Sequence, residues 1–132
     1  MKVRLYIKEV KGKGRGVFSY KPIDKDEIIE ECPLIVFPTE DYDLITSTQL
    51  ANYSFFFNKD ENTLAIAMGF GSLYNHVFPS NASHSIDKDK KLIIIYAIRY
   101  IKAHEEICIN YNGDHENDSL EWFDTRNLNY RL

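Results

Sequence analysis

The sequence predicts a mainly β fold made of short strands with little helix. Three observations carry that expectation. The apolar runs are short, as at residues 64–68 (LAIAM), 92–98 (LIIIYAI) and 107–111 (ICINY). They draw on β-branched and aromatic side chains, which suit a pleated, half-buried surface. Clusters of Gly, Asn, Asp and Pro bracket them at close intervals, the pattern of strands joined by turns. At 132 residues the chain is expected to be a single domain over residues 1–132, long enough to bury a real core.

Residues 3–7 (VRLYI) alternate apolar and polar side chains, as a half-buried strand does. Residues 11–16 (KGKGRG) follow, with glycine at every second position, so the backbone can turn tightly and approach a ligand closely. This run lacks the Gly-Lys-Ser/Thr ending of a nucleotide-binding P-loop, and no helical pattern follows it as a dinucleotide fingerprint requires. Residues 28–32 (IIEEC) and 34–37 (LIVF) read as two strands separated by Pro33. Residues 39–52 allow either a short helix or an irregular insert. Residues 53–57 (YSFFF) read as an aromatic strand, 58–62 as a turn and 87–91 (DKDKK) as a solvated hairpin tip. From Asp118 the tail reads as a helix: Asp118 and Glu121 resemble a capping box, and Leu120, Trp122, Phe123 and Leu128 give it an apolar side.

A net charge of −4 argues against nucleic acid as a partner and for a basic one. Cys32 and Cys108 form no CxxC pair, so a thiolate zinc site is not expected. No metal-ligand spacing joins His76, His84 and His115. Free buried thiols fit a reducing compartment. The sequence has no apolar run of about eighteen residues and no signal-peptide core near Met1. A soluble intracellular protein without a membrane association is therefore expected.

Residues 69–84 (GFGSLYNHVFPSNASH) hold no steady apolar period and lie between two apolar runs. Such a segment is where a small β protein places a binding site, or simply a loop whose Asn and His satisfy their own backbone.

Three separated pieces resemble one family: residues 14–18 (GRGVF), Asn75-His76 with Asn81, and residues 105–111 (EEICINY). Together, in this order, they are similar to the SET domain of S-adenosylmethionine-dependent protein-lysine methyltransferases. Residues 30–32 (EEC) and 68–71 (MGFG) resemble the short free-standing SET proteins of viruses and bacteria. The resemblance implies small curved sheets around a knot-like C-terminal crossing, completed by a short C-terminal helix. It implies S-adenosyl-L-methionine as cofactor, held by Lys13, Gly14, Arg15, Asn75 and His76, with Trp122 over the adenine. Tyr111 would stand at the methyl-transfer point and Tyr53 would line the lysine channel. The implied partner is a protein with a lysine in a basic segment, a histone tail among them. A homodimer is compatible with the family. The implied location is cytoplasm or nucleus, or a host nucleus for a viral or bacterial source.

The chemistry asks for such residues. The attacking lysine must be neutral, although a free lysine has a pKa of roughly 10.4. An apolar channel and a nearby sulfonium both lower it, and aromatic walls can accept the cation first, worth roughly 0.5–2 kcal/mol. Alignment of the reacting atoms is then the main contribution of the protein. A second reading keeps the fold but makes it a non-catalytic module that binds a peptide or lysine. A third is an unrelated small β-barrel, which cofactor binding would exclude.

Overall fold

The structure of the protein, a computed structural model, describes residues 4–110. Within that span the strands are β1 (Leu5–Val10), β2 (Gly14–Ser19), β3 (Ile28–Val36), β4 (Phe55–Asn58), β5 (Thr63–Ala67), β6 (Asn75–His76), β7 (Ala82–Asp87), β8 (Leu92–Ala97) and β9 (Glu106–Ile109). The fold is mainly β, as expected. The C-terminal helix expected from Asp118, with Trp122, and the position of Tyr111 lie outside the described residues.

The strands make two sheets. One has the order β1-β2-β9-β6 and the other β4-β5-β3-β8-β7. All pairings are antiparallel except β6 with β9, which run parallel with Asn75 opposite Cys108 and His76 opposite Ile109. Alternation sets the faces. Ile93, Ile95 and Ala97 of β8 point inward and are buried, and Cys32 of β3, the partner of Ile93, joins them. Val17 of β2 and Ile107 and Ile109 of β9 enter the same apolar cluster, so one core serves both sheets. Ile23 and Ile101, both fully buried, exchange backbone hydrogen bonds of 2.9 Å. That bridge ties the segment after β2 to the segment before β9.

Pro33 does not divide two strands. β3 runs through it from Ile28 to Val36. Pro33 is the last residue paired with β8, opposite Leu92, and Leu34 is the first paired with β5, opposite Ala67. The proline therefore stands where β3 changes partners, and its carbonyl still accepts from the Met68 N–H at 2.9 Å. Residues 39–52 form a string of short turns: a 3-10 turn at Thr39–Asp41, the helix α1 (Tyr42–Thr46) and a second 3-10 turn at Gln49–Asn52. Tyr42 stacks on Phe56 of β4, ring centroids 6.3 Å apart, while Ile45, Ala51 and Leu64 are buried. The aromatic strand begins at Phe55 rather than at Tyr53, which instead ends the second 3-10 turn.

Candidate active site

Register brings two of the three sequence pieces to one place, and the third begins there. The β1–β2 hairpin turns through Lys11, Gly12 and Lys13, between the paired residues Val10 and Gly14. Gly12 and Gly14 both have φ of +80°, a conformation that side chains disfavour, so the tip depends on glycine. Gly16 is required for a different reason. A Cβ there would meet Glu106 Oε2 at 2.6 Å, Val10 Cγ2 at 2.8 Å and Asn75 Nδ2 at 3.2 Å. The bare backbone of Gly16 is what lets a carboxylate and an amide come down onto β2.

The Asn75 side-chain amide donates from Nδ2 to the Glu106 carboxylate at 2.7 Å and to the Arg15 carbonyl at 3.1 Å. Both neighbours are acceptors, so the amide orientation is fixed, with Nδ2 toward β2 and β9 and Oδ1 turned the other way. The Lys13 ammonium lies 3.6 Å from the other Glu106 oxygen. His76 follows on β6, and its imidazole is held below its ordinary value of 6.5, first by burial and then by the Lys13 charge. Lys13, Gly14 and Arg15 of the β1–β2 hairpin thus lie close to Asn75 and His76 of β6. Tyr53 is placed elsewhere, at the lead-in to β4 on the edge of the second sheet.

Two residues that hold this arrangement carry no role in the sequence reading. Glu106 lies at its centre; the signal was a carboxylate directly preceding the buried run Ile107–Cys108–Ile109. Asn81 pins β9 from the other side. Its Nδ2 donates to the Glu106 carbonyl at 2.8 Å, and its Oδ1 accepts from the Cys108 N–H at 2.9 Å. The buried amide thereby acts as one more peptide unit alongside β9.

A supporting cluster orders the chain leading into Asn75. Glu30 of β3 accepts from the Phe70 N–H at 3.0 Å and from the Tyr74 hydroxyl at 2.8 Å. The turn at Met68–Gly71 wraps so closely that a Cβ on Gly69 would meet Glu30 Oε2 at 2.5 Å, and one on Gly71 would meet Cys32 Sγ at 2.9 Å. The stretches 30–32 and 68–71 are therefore in direct contact. Burial, then the Glu30 charge, raises the Cys32 thiol to about 12. Burial, then Glu106, raises Cys108 to about 12 as well, so both thiols stay protonated and act as packing.

The donor set fits the amino-acid end of S-adenosylmethionine. That end is a zwitterion, and here a lysine ammonium lies beside a carboxylate and an oriented amide, next to a glycine backbone without side chains in the way. Lys13 would hold the ligand carboxylate, and the Glu106 carboxylate, oriented by Asn75, the ligand ammonium.

A family model for the SET domain matches residues 14–112. The chain belongs to the SET-domain family, and its activity is that of a protein-lysine N-methyltransferase. It is 37% identical over 112 residues to a histone-lysine N-methyltransferase of Schizosaccharomyces pombe specific for H3 lysine-37, a match that covers 84% of this chain and 74% of that protein. Among solved structures it resembles a candidate histone methyltransferase of Plasmodium falciparum, with 29% identity, a TM-score of 0.63, and coverage of 84% of this chain and 95% of that one. A Polycomb Repressive Complex 2 chain of Chaetomium thermophilum shares the fold at 19% identity and a TM-score of 0.69, over 92% of this chain and 16% of that one. Enzymes of this family generally use S-adenosylmethionine.

The histidines give a pH dependence. Burial lowers the pKa of His84 as well as that of His76, below the 6.5 of an ordinary histidine. Between 6.5 and the lower folded value the unfolded chain binds more protons than the folded one, so stability is full above about pH 6.5 and falls as the solution becomes more acid. Among the described residues the buried His84 Nδ1 has no hydrogen-bond partner, so little is lost on replacing it by an apolar residue. Melting temperatures measured from about pH 8 to about pH 5 should fall for the parent and fall less for His84→Leu. Equal slopes would mean that His84 is not a source of the acid sensitivity.

Proposed function

We propose that residues 1–132 form one SET domain that transfers a methyl group from S-adenosylmethionine to a lysine in a histone tail. The observation that carries this reading is the cluster of Lys13, Glu106 and Asn75 on the glycine hairpin, with its paired opposite charges. The cofactor, when bound, supplies an electrophilic methyl on a sulfonium. The chain's part is to bind, orient and exclude water. Lys13, Asn75 and Glu106 fix the amino-acid end, and the backbones of Gly14, Arg15 and His76 line the rest. The depressed pKa keeps His76 neutral at physiological pH, so it adds no second positive charge beside Lys13 and the sulfonium. Tyr111, two residues past the end of β9, would align the lysine amine; Tyr53 would line its channel; Trp122 would cover the adenine.

The specificity of the fission-yeast relative makes histone H3 the first substrate to try. A chain of net charge −4 also favours lysines in basic surroundings, and an extended peptide could add to a sheet edge. The likeness to short viral and bacterial SET proteins rests on the motifs at 30–32 and 68–71.

A ligand that binds only the folded state stabilises it by roughly 2.7 kcal/mol at a hundredfold excess over Kd. S-adenosylmethionine and its demethylated product should therefore raise the melting temperature, while ATP and NAD should not. With methyl-labelled cofactor, label should appear on histone H3. A thermal shift without label transfer to any histone would leave a cofactor-binding module and contradict the histone substrate.

A further inference from the structure

The net charge of −4 conceals a division. Residues 1–21 carry seven Lys and Arg against one acid, Glu9; the remainder carries nine against nineteen. The expectation against nucleic acid, drawn from total charge, averages over this division. The basic segment is the β1–β2 hairpin, and strand alternation sorts its side chains. Arg4, Tyr6 and Lys8 share one face, and the pairing of Tyr6 with Phe18 sets Phe18 and Tyr20 beside them. Ring contacts show the side chains lying there: Arg4 over Tyr20 at 5.8 Å, Lys8 over Phe18 at 4.6 Å, and Tyr6 against Tyr20 at 4.3 Å. His104 closes the row, its Nδ1 2.8 Å from the Tyr6 hydroxyl.

This face has unspent charge. Glu9 alternates to the opposite side. Among the described residues neither Arg4 nor Lys8 pairs with a carboxylate. Of the nearby acids, Glu105 is engaged by Arg99 and Glu106 by Lys13 and Asn75. Tyr20 is 51% exposed, so part of its ring faces solvent beside Arg4, Tyr6 and His104.

We propose that the Arg4-Tyr6-Lys8 face, with Tyr20 and His104, docks nucleic acid, the cations on phosphates and the exposed part of the Tyr20 ring against a base. Charge complementarity calls for a polyanion, and the alternation of cation and ring matches the alternation of phosphate and base. An acidic peptide would satisfy the cations but offers no flat face to the ring. The surface lies at the end of the hairpin remote from Lys13 and does not depend on the methyl-transfer reading.

The test is fluorescence polarisation of a labelled single-stranded oligonucleotide of mixed sequence with the full chain, titrated with salt. Binding should appear at low salt and weaken with a logarithmic slope of about −0.7 per phosphate neutralised. Arg4→Ser with Lys8→Ser should weaken it at least tenfold and flatten the slope by roughly 1.4, twice that increment. Tyr20→Ala should weaken it by about tenfold with the slope unchanged, the behaviour of a lost stacking contact. Lys88→Ser with Lys90→Ser, on the β7–β8 turn, should leave it unaltered. If the double hairpin variant is unfolded by circular dichroism, Lys8→Ser alone serves, with half the change in slope. Absence of binding at low salt overturns the proposal. So does binding that the hairpin variants retain, or binding that Tyr20→Ala leaves intact and polyglutamate competes away equally well.

Discussion

Tyr111→Phe should leave the chain folded and able to bind S-adenosylmethionine, while methyl transfer falls by about a hundredfold or more, the scale set by lost alignment. Ile107, Cys108 and Ile109 of β9 are buried, and Asn110 after them is only 2% exposed. β9, two residues before Tyr111 in the sequence, is held between β2 and β6. Phe keeps the ring and removes only the hydroxyl. An exposed tyrosine with no role would tolerate that change almost without effect. If Tyr53 lines the lysine channel as proposed, Tyr53→Phe should behave differently, leaving the first transfer largely intact but changing the number of methyl groups added, because a lost hydroxyl would make room there. Single-turnover rates and product masses for both variants distinguish the two roles. Parental rates for Tyr111→Phe would remove Tyr111 from the reaction.

Asn81→Ala should be the most damaging substitution to the framework. The Asn81 side chain satisfies the Glu106 carbonyl and the Cys108 N–H, and its own carbonyl accepts from the Ile98 N–H at 3.0 Å. Alanine removes the first two bonds and leaves two backbone groups stranded in a buried position. Each unsatisfied group costs about 1–3 kcal/mol, so a loss of roughly 2–6 kcal/mol is expected for the two. For a chain of this size that lowers the melting temperature by about 10 °C or more. Because Glu106 and the partner of Asn75 both sit on β9, cofactor affinity should fall together with stability. Asn81→Asp restores the acceptor for Cys108 but sets an oxygen against the Glu106 carbonyl, so it should be no better than intermediate. Urea unfolding and cofactor calorimetry on both variants measure this. A loss within about 0.5 kcal/mol for alanine, the range of an ordinary surface change, would mean that β9 does not depend on the amide.

Much of the fold is legible in the sequence because burial leaves a mark on alternating positions. Ile93, Ile95 and Ala97 declare their strand, and so does the turn at residues 87–91 between β7 and β8. What is not legible depends on partners far along the chain. Pro33 looks like a break because a proline removes a donor. It is tolerated because β3 changes partner there, and the change is set by β5 and β8, some thirty and sixty residues away. Asn75 and His76 read as a loop because two residues carry no period; only their parallel pairing with β9 makes them a strand. The same reason hid Glu106. Its neighbours in sequence are an acid and an apolar run, whereas its partners in space are Lys13 and Asn75. The glycines at residues 12, 14 and 16 were visible as a place where backbone could come close. That Gly16 makes room for a carboxylate and an amide belongs to the sheet order β1-β2-β9-β6.

The central claim is that this chain transfers methyl groups to histone lysine, and tandem mass spectrometry of histone H3 after incubation with the chain and S-adenosylmethionine tests it most directly. The parent should yield a methylated lysine at one defined position of H3, and Tyr111→Phe, at equal concentration and with cofactor binding verified, should yield at most a trace. Unmodified H3 from both proteins, under conditions where the parent binds cofactor, would contradict the account.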